Sequence, residues 1–320
     1  VEEHDTFYIM NNVFIFTPSD NNKVNLYLEN KVLTDETDVA HANVYFGGCT
    51  FSSTNANIEE YKHIEIVENE GGFETFTFNS CNCVKQGENT ISIPSTIKFE
   101  NIQFECLSLD TCTPSTPSNP TNPTTSPVNP PTETSTPDLD GYTPHGRIKE
   151  TTIEINLHKC KFSYLQNTNE DGGAILITFN KKVNCTINDC KFKSCSGSKG
   201  GAISASYSKT NDYTFTIIDS SFEECTSTDL GGAIHIISGQ PLHHVFNITG
   251  CRFINNKAAT GGGIYAELRD QLTINNCHFE NNEATNKGSS AYLRVGHNNI
   301  KNTVEEHDTF YIMNNVFIFT

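Results

Sequence analysis

Apolar residues alternate with polar ones in short runs, and most of these runs follow a pair of glycines. Four runs of this kind carry apolar residues two positions apart: Ile175/Ile177, Ile203/Ala205, Ile234/Ile236 and Ile264/Ala266. A period of two predicts β-strands, because successive side chains on a strand point to opposite faces. The chain is therefore predicted to be all-β and built of short strands.

A Cys-x-Phe signal marks each of these units. It occurs at Cys160/Phe162, Cys190/Phe192, Ser220/Phe222, Cys251/Phe253 and Cys277/Phe279, with steps of 30, 30, 31 and 26 residues. A small-residue pair follows each Phe: Gly172-Gly173, Gly200-Gly201, Gly231-Gly232, Gly261-Gly262 and the weakened Gly288-Ser289. A fixed period of this length indicates a stacked repeat architecture.

Taking the Cys position as zero, positions −5, −3 and +2 are apolar in all five units. They are Ile155, Leu157, Phe162; Cys185, Ile187, Phe192; Phe215, Ile217, Phe222; Phe246, Ile248, Phe253; and Leu272, Ile274, Phe279. Four matches precede them: Tyr8, Met10, Val13, Ile15; Val44, Phe46, Cys49, Phe51; Phe76, Phe78, Cys81, Cys83; and Ile97, Phe99, Ile102, Phe104. Nine units thus follow one template.

Such repeats of short strands predict a parallel β-helix, in which each coil pairs with the next. The three-residue step from −3 to zero predicts a bend or bulge, and the glycine pairs predict a second corner with positive φ and close backbone approach. Nine coils spaced about 4.8 Å apart would advance about 43 Å.

These motifs resemble the polymorphic outer-membrane-protein repeats, whose paired motifs are GGA plus an aliphatic residue and FxxN. GGAI occurs at 172–175, 200–203 and 231–234, GGGI at 261–264, and FxxN at Phe253/Asn256 and Phe279/Asn282. Leu165, Cys195 and Cys225 replace the Asn elsewhere, and residues 1–106 carry almost none of these motifs. The resemblance implies right-handed β-helical surface proteins without catalytic activity.

The 17 residues from Val1 to Thr17 recur unchanged from Val304 to Thr320. This recurrence predicts one 303-residue period of a tandem array followed by the start of the next copy; an accident of how the chain was made is the alternative. We predict β-helix coils 1–4 over residues 1–106 and coils 5–9 over 148–303. Residues 107–147 are predicted to form a Pro/Thr-rich insertion that leaves the helix between two coils.

The insertion is mucin-like, since it combines many prolines with Ser and Thr, which favours a solvated polyproline loop. Candidate O-glycosylation sites are Thr113, Ser115, Thr116, Ser118, Thr121, Thr124, Thr125, Ser126, Thr132, Thr134, Ser135 and Thr136; an unmodified disordered loop is the alternative. Two N-glycosylation sequons begin at Asn184 and Asn247. The template places both asparagines on the outer face.

Twelve cysteines favour an oxidising compartment. Equal template positions in successive coils lie about 4.8 Å apart, within the Cα range of a disulfide. Candidate bridges are Cys49–Cys81, Cys160–Cys190, Cys195–Cys225, Cys251–Cys277 and Cys106–Cys112. The alternative is that cysteine is simply a small residue that suits a narrow core, which is the role predicted for Cys83 and Cys185.

The formal net charge of −17 disfavours nucleic acid and anionic membranes as partners. No apolar run reaches the length of a membrane span. Neither a metal-ligand spacing nor a nucleotide-binding or nucleophile motif is present, so no cofactor, metal or catalytic residue is predicted.

We therefore expect a structural repeat unit of an extracellular or cell-surface glycosylated fibre or stalk. Its partners are expected to be further copies of itself, stacked head to tail, and covalent glycans. A surface adhesin whose loops bind a host or matrix partner is the alternative, and a carbohydrate-active β-helix enzyme is a third.

Overall fold

The computed structural model describes residues 5–16, 24–32, 41–47, 49–53, 62–69, 72–79, 82–84, 91–92, 141–150, 155–179, 184–207, 214–238, 245–268, 271–297 and 309–319. All regular elements in these ranges are β-strands. Within them, no helix has the length and apolar character needed to cross a membrane.

The strands form four parallel sheets. From one edge to the other, the first contains β12 (Ile155–His158), β16 (Asn184–Asn188), β20 (Thr214–Ile218), β24 (Val245–Thr249), β28 (Gln271–Asn275), β32 (Thr309–Met313), β1 (Asp5–Met10), β4 (His41–Gly47) and β7 (Gly72–Asn79). The second, in the same direction, contains β10 (Thr143–Pro144), β13 (Cys160–Ser163), β17 (Lys191–Lys193), β21 (Ser221–Glu223), β25 (Arg252–Ile254), β29 (His278–Glu280), β33 (Val316–Phe319), β2 (Val13–Phe16), β5 (Thr50–Ser53) and β8 (Asn82–Val84).

The third sheet contains β11 (Ile148–Glu150), β15 (Ile175–Phe179), β19 (Ile203–Tyr207), β23 (Ile234–Ser238), β27 (Ile264–Leu268), β31 (Ala291–His297), β3 (Val24–Val32), β6 (Lys62–Asn69) and β9 (Ile91–Ser92). The short fourth sheet contains β14 (Gln166–Asn167), β18 (Ser196–Gly197), β22 (Thr226–Ser227), β26 (Lys257–Thr260) and β30 (Glu283–Lys287).

Strands that occupy equal template positions pair in parallel, which confirms the predicted parallel β-helix. Cys185 pairs with Phe215, for example, and Phe192 with Phe222. The predicted count of nine coils per period is not confirmed, because the match at Ile97, Phe99, Ile102 and Phe104 lies outside the described residues.

The core lies between the sheets and is built from the predicted columns. Side chains at positions −5, zero and +2 are buried in all five later coils, and those at −3 are buried in four, with Leu157 partly buried. The +2 phenylalanines form one continuous stack: Phe162, Phe192, Phe222, Phe253 and Phe279 have successive ring centroids 4.8–4.9 Å apart and nearly parallel planes. A uniform apolar column therefore runs along the axis of the β-helix, which is called the rod below.

In the first coil, the predicted register is wrong by one residue. Phe7, Ile9, Asn12 and Phe14 are fully buried, whereas the predicted core residues Tyr8 and Met10 are only partly buried. Asn12 takes the zero position that the template gives to Val13. Both registers are mostly apolar in FYIMNNVFIF, and the pattern favours the one without a polar residue in the core.

The predicted bend before position zero is a corner at which one residue has positive φ. Lys159, Asp189, Asp219, Gly250 and Asn276 occupy it in the later coils, with φ between 48° and 67°. A second corner of the same kind precedes position +5, at Tyr164, Ser194, Glu224, Asn255 and Asn281. Polar residues are suited to both corners, because a short polar side chain tolerates the left-handed conformation.

The paired glycines form a corner, as predicted, and it is the third of each coil because the corner before position +5 was not predicted. The two members of each pair have different roles. Gly200 has φ +65°, which favours glycine. Gly201 is required by close approach, because a Cβ there would lie closer than 3.0 Å to the backbone of Gly232 and Thr226 in the next coil. The GG motif thus combines a turn with a tight contact between coils.

An aromatic column lies on the outer side of the third sheet and is nevertheless buried. His235, Tyr265, Tyr292 and Tyr27 are 2–5% exposed, and the tyrosine rings stack 4.9 and 5.0 Å apart. The Nδ1 atom of His235 lies 3.0 Å from Ser204 Oγ, while its Nε2 has no hydrogen-bond partner among the described residues. Burial, with a smaller contribution from the positive charge of Lys199, lowers the pKa of His235 to about 3.

This histidine predicts a loss of stability in mild acid. The unfolded chain binds a proton at His235 near pH 6.5 and the folded chain only near pH 3. Protonation of this side chain therefore favours the unfolded chain, and the free energy of unfolding falls as the pH drops below 6.5. The free energy of unfolding should fall by about 1.4 kcal/mol per pH unit in this window. Urea titrations give the drop in the free energy of unfolding between pH 7.5 and pH 5. This drop should be smaller for His235→Tyr than for the parent chain, by about 2 kcal/mol.

The exposed His158 provides the matched control. His158→Tyr should show the same acid sensitivity as the parent chain. Equal sensitivity of the parent chain and His235→Tyr would contradict the assignment.

The stacking order differs from the chain order. Along each long sheet, the strands from 141–297 come first, those from 309–319 follow in the first two sheets, and those from 5–92 come last. The coils on either side of the Pro/Thr-rich insertion were expected to be neighbours, but β7 and β9 lie at the edges opposite β12 and β11. Strand β10, within the predicted range 107–147 of the insertion, is part of the second sheet and lies at the edge opposite β8. The end of the chain pairs instead with its beginning.

Candidate interface between repeat copies

The two identical 17-residue segments meet at one place in the rod. Strands β32 and β33 of the second copy pair with β28 and β29 on one side and with β1 and β2 on the other. The pairing of the copies is in register: Phe7 pairs with Phe310, Ile9 with Ile312 and Phe14 with Phe317. The last coil of the period therefore accepts the first strands of a following copy.

Identical aromatic side chains stack across this interface. The Phe14 and Phe317 rings lie 4.8 Å apart with an interplanar angle of 4°, and Phe317 stacks on Phe279 at the same distance. Outside the core, Tyr8 stacks on Tyr311 at 5.3 Å. The phenylalanine column of the later coils thus continues without interruption into the first coil.

Two buried asparagines form hydrogen bonds between the coils where the copies meet. Asn315 accepts a hydrogen bond at Oδ1 from the Cys277 amide (2.8 Å) and donates from Nδ2 to the Ile274 carbonyl (2.9 Å). The backbone N–H of Asn315 in turn donates to Asn12 Oδ1 at 2.9 Å. An amide side chain in the core satisfies backbone groups of both neighbouring coils, and a displaced one would be left unpaired.

The FxxN asparagines act in the same way within the period, which was not predicted from the motif. Asn256 accepts from the Cys225 amide (2.9 Å) and donates to the Phe222 carbonyl (2.9 Å). Asn282 donates to the Phe253 carbonyl and accepts from the Asn256 amide. The signal in the sequence for this hydrogen-bonding role was a polar residue three positions after each of these core phenylalanines.

The third sheet continues across the interface without an intervening strand. Strand β3 pairs directly with β31, so that Tyr27 is opposite Tyr292 and Leu28 is opposite Leu293. Leu26, Leu28 and Leu293 are fully buried. The apolar core is therefore closed on this side by residues 24–32.

The eight described cysteines are buried: Cys49 and the seven free thiols Cys160, Cys185, Cys190, Cys195, Cys225, Cys251 and Cys277. The candidate bridges Cys160–Cys190, Cys195–Cys225 and Cys251–Cys277 are thus absent from the structure. Most of these thiols contact a backbone carbonyl. Cys195 Sγ and Cys225 Sγ, for example, contact Phe162 O (3.6 Å) and Phe192 O (3.8 Å) in the place that Asn takes in other coils. Cys81, Cys106 and Cys112, and the side chain of Cys83, lie outside what the structure describes.

Burial raises the pKa of two of these thiols above the ordinary value. It raises the pKa of Cys185, and it raises that of Cys190 to about 12 despite opposing hydrogen bonds. Both residues are therefore neutral thiols at physiological pH, which suits the core role predicted for Cys185.

The candidate N-glycosylation sites lie on the outer face of the first sheet. Asn184 begins β16 and is exposed, whereas Asn247 is in the middle of β24 and partly buried, between Thr216 and Thr273 of the adjacent coils. The twelve candidate O-glycosylation sites lie outside the described residues.

The described acidic side chains at the turns take part in local contacts. Arg147 contacts Glu170 at 2.8 Å and, together with Lys149, lowers the pKa of that carboxyl. Glu224 accepts a hydrogen bond from Ser194 Oγ at 2.9 Å. Among the residues described, no three His, Cys, Asp or Glu side chains form a group suited to a metal ion.

The model of the Chlamydia polymorphic membrane protein repeat family matches residues 250–267. This stretch contains Phe253, Asn256 and the glycines 261–263, and it includes the second half of one coil up to the third sheet. The match confirms the resemblance drawn from the motifs. No curated protein and no solved structure matches the chain.

Proposed function

We propose that this chain is a repeat unit of an extracellular glycosylated fibre or stalk at a cell surface, and that its role is structural and not enzymatic. Copies join head to tail through the β-helix core. One observation carries the proposal: the recurring segment pairs in register with its own copy while it continues the sheets of the preceding coil.

The interface has the properties of a specific junction. It combines a continuous Phe column with hydrogen-bonded buried asparagines, so apolar contact supplies affinity and the amides supply register. The match to a family of membrane-protein repeats supports placement at a cell surface.

Electron microscopy and fibre diffraction of a protein with several copies test this function. We expect rods with a meridional reflection near 4.8 Å, because the strands stack along the axis. A single copy serves as the control for length. Separate globular particles for each copy would contradict the proposal and favour the adhesin or the enzyme.

The glycoprotein part of the proposal predicts N-linked sugars at the two sequons. In a eukaryotic secretory host, Asn184→Gln and Asn247→Gln should each remove one glycan, seen by intact mass before and after enzymatic deglycosylation. The exposed Asn184 is expected to be the more fully occupied site, since Asn247 is partly covered by its neighbours. A mass equal to that of the bare chain would contradict this prediction.

A further inference from the structure

The place of strand β3 shows which residues belong to one rod. Within a regular coil, the second-sheet strand and the third-sheet strand lie at the same level, as β29 and β31 do. The next level consists of β33 in the second sheet and β3 in the third, because β33 pairs with β29 and β3 pairs with β31. Residues 24–32 therefore complete the coil that residues 309–319 begin.

In a tandem chain, the strand that follows β33 is the next copy's equivalent of β3. In this structure β3 of the same chain occupies that place, and β1 and β2 lie one coil beyond it. The structure thus shows the first part of the chain packed after its last part.

The two flanks of the insertion lie at opposite ends of this rod. Seven strands separate β12 from β7 in the first sheet, and seven separate β11 from β9 in the third. Eight steps of about 4.8 Å place these ends roughly 38 Å apart. Within the described residues, the outer edges of β12 and β7 pair with no further strand.

Resting on the proposed fibre function, we propose that each folded rod straddles the boundary between copies. Its described parts are residues 141–297 of one copy and residues 5–92 of the next, and the Pro/Thr-rich stretch of each copy joins successive rods. The fibre is then a chain of stiff segments with one Pro/Thr-rich connection per period. Proline suits such a connection because polyproline stretches hold an extended chain without pairing to a sheet.

Native digestion of a two-copy chain with a protease of broad specificity tests this assignment. We expect cleavage within 93–140 of each copy and a resistant fragment of roughly 255 residues, from near residue 141 of the first copy to near residue 92 of the second. Mass spectrometry identifies its ends. Size-exclusion chromatography should show that it separates from the remaining pieces.

Two other results are distinguishable. If all cleaved pieces elute as one particle, the core continues past 93–140, and the rod boundary is overturned while the fibre function stands. Separation of residues 141–297 of the first copy from residues 5–92 of the second on size-exclusion chromatography would overturn the fibre function. A second-copy variant with Leu26→Asp and Leu28→Asp should show this separation, whereas the exposed Asn11→Asp should leave the fragment intact.

Discussion

Gly201→Ala is expected to destabilise the β-helix by about 3 kcal/mol or more. The added Cβ would lie inside the contact distance of backbone atoms of Gly232 and Thr226, and neither backbone can move away without opening the interface between two coils. Urea unfolding followed by circular dichroism measures the loss. If the variant does not accumulate as protease-resistant protein, the destabilisation is large enough to prevent folding, which also agrees with this prediction.

Gly250→Asn is the matched control. Gly250 has φ +67° at a corner where other coils carry Asn276 and Asn314, and the atom that a Cβ meets there belongs to the flexible side chain of Asp219. We expect a change of less than about 1 kcal/mol. Similar losses for both variants would contradict the role assigned to the close approach of the coils at Gly201.

Asn256→Ala is expected to reduce the free energy of unfolding by about 2–4 kcal/mol, because it leaves the Cys225 amide and the Phe222 carbonyl buried without partners. Its contact with Asn282 Oδ1 is lost as well. Equilibrium unfolding of the variant and the parent chain at one pH measures this effect.

Asn256→Cys provides the conservative comparison, since cysteine occupies the same column at Cys195 and Cys225. A thiol there is able to donate to the carbonyl of the preceding coil, as Cys225 Sγ does to Phe192 O at 3.8 Å. The loss should be about half that of alanine. If alanine and cysteine are equally harmful, the backbone hydrogen bonds are not the reason for the asparagine.

Much of the fold could be predicted from the sequence, because a β-helix repeats one physical requirement in each coil. The columns through Phe162 and Ile187 and the glycine corners are periodic, so each coil reinforced the interpretation of the others. The first coil was misplaced by one residue because Asn12 is polar, and its suitability for the core depends on carbonyl and amide groups of neighbouring coils.

The candidate site was harder to predict for the same reason. The recurring segment indicated contact between copies, but its level in the stack depends on which strands are already paired, which no local pattern records. The cysteine bridges were inferred from Cα spacing alone, whereas residues such as Cys195 instead direct the thiol toward a carbonyl. The roles of Asn256 and Asn315 required the three-dimensional pairing to be known.

The displacement of β1 and β2 by one coil relative to β3 has a consequence for how such chains fold. Successive coils offer nearly interchangeable docking surfaces, so a strand added one level too far still finds a Phe to stack on and a complete set of ladder partners. Off-pathway species that differ from the native state by a single step are therefore close to it in energy and slow to correct. Longer arrays should accordingly refold with lower yield than single copies.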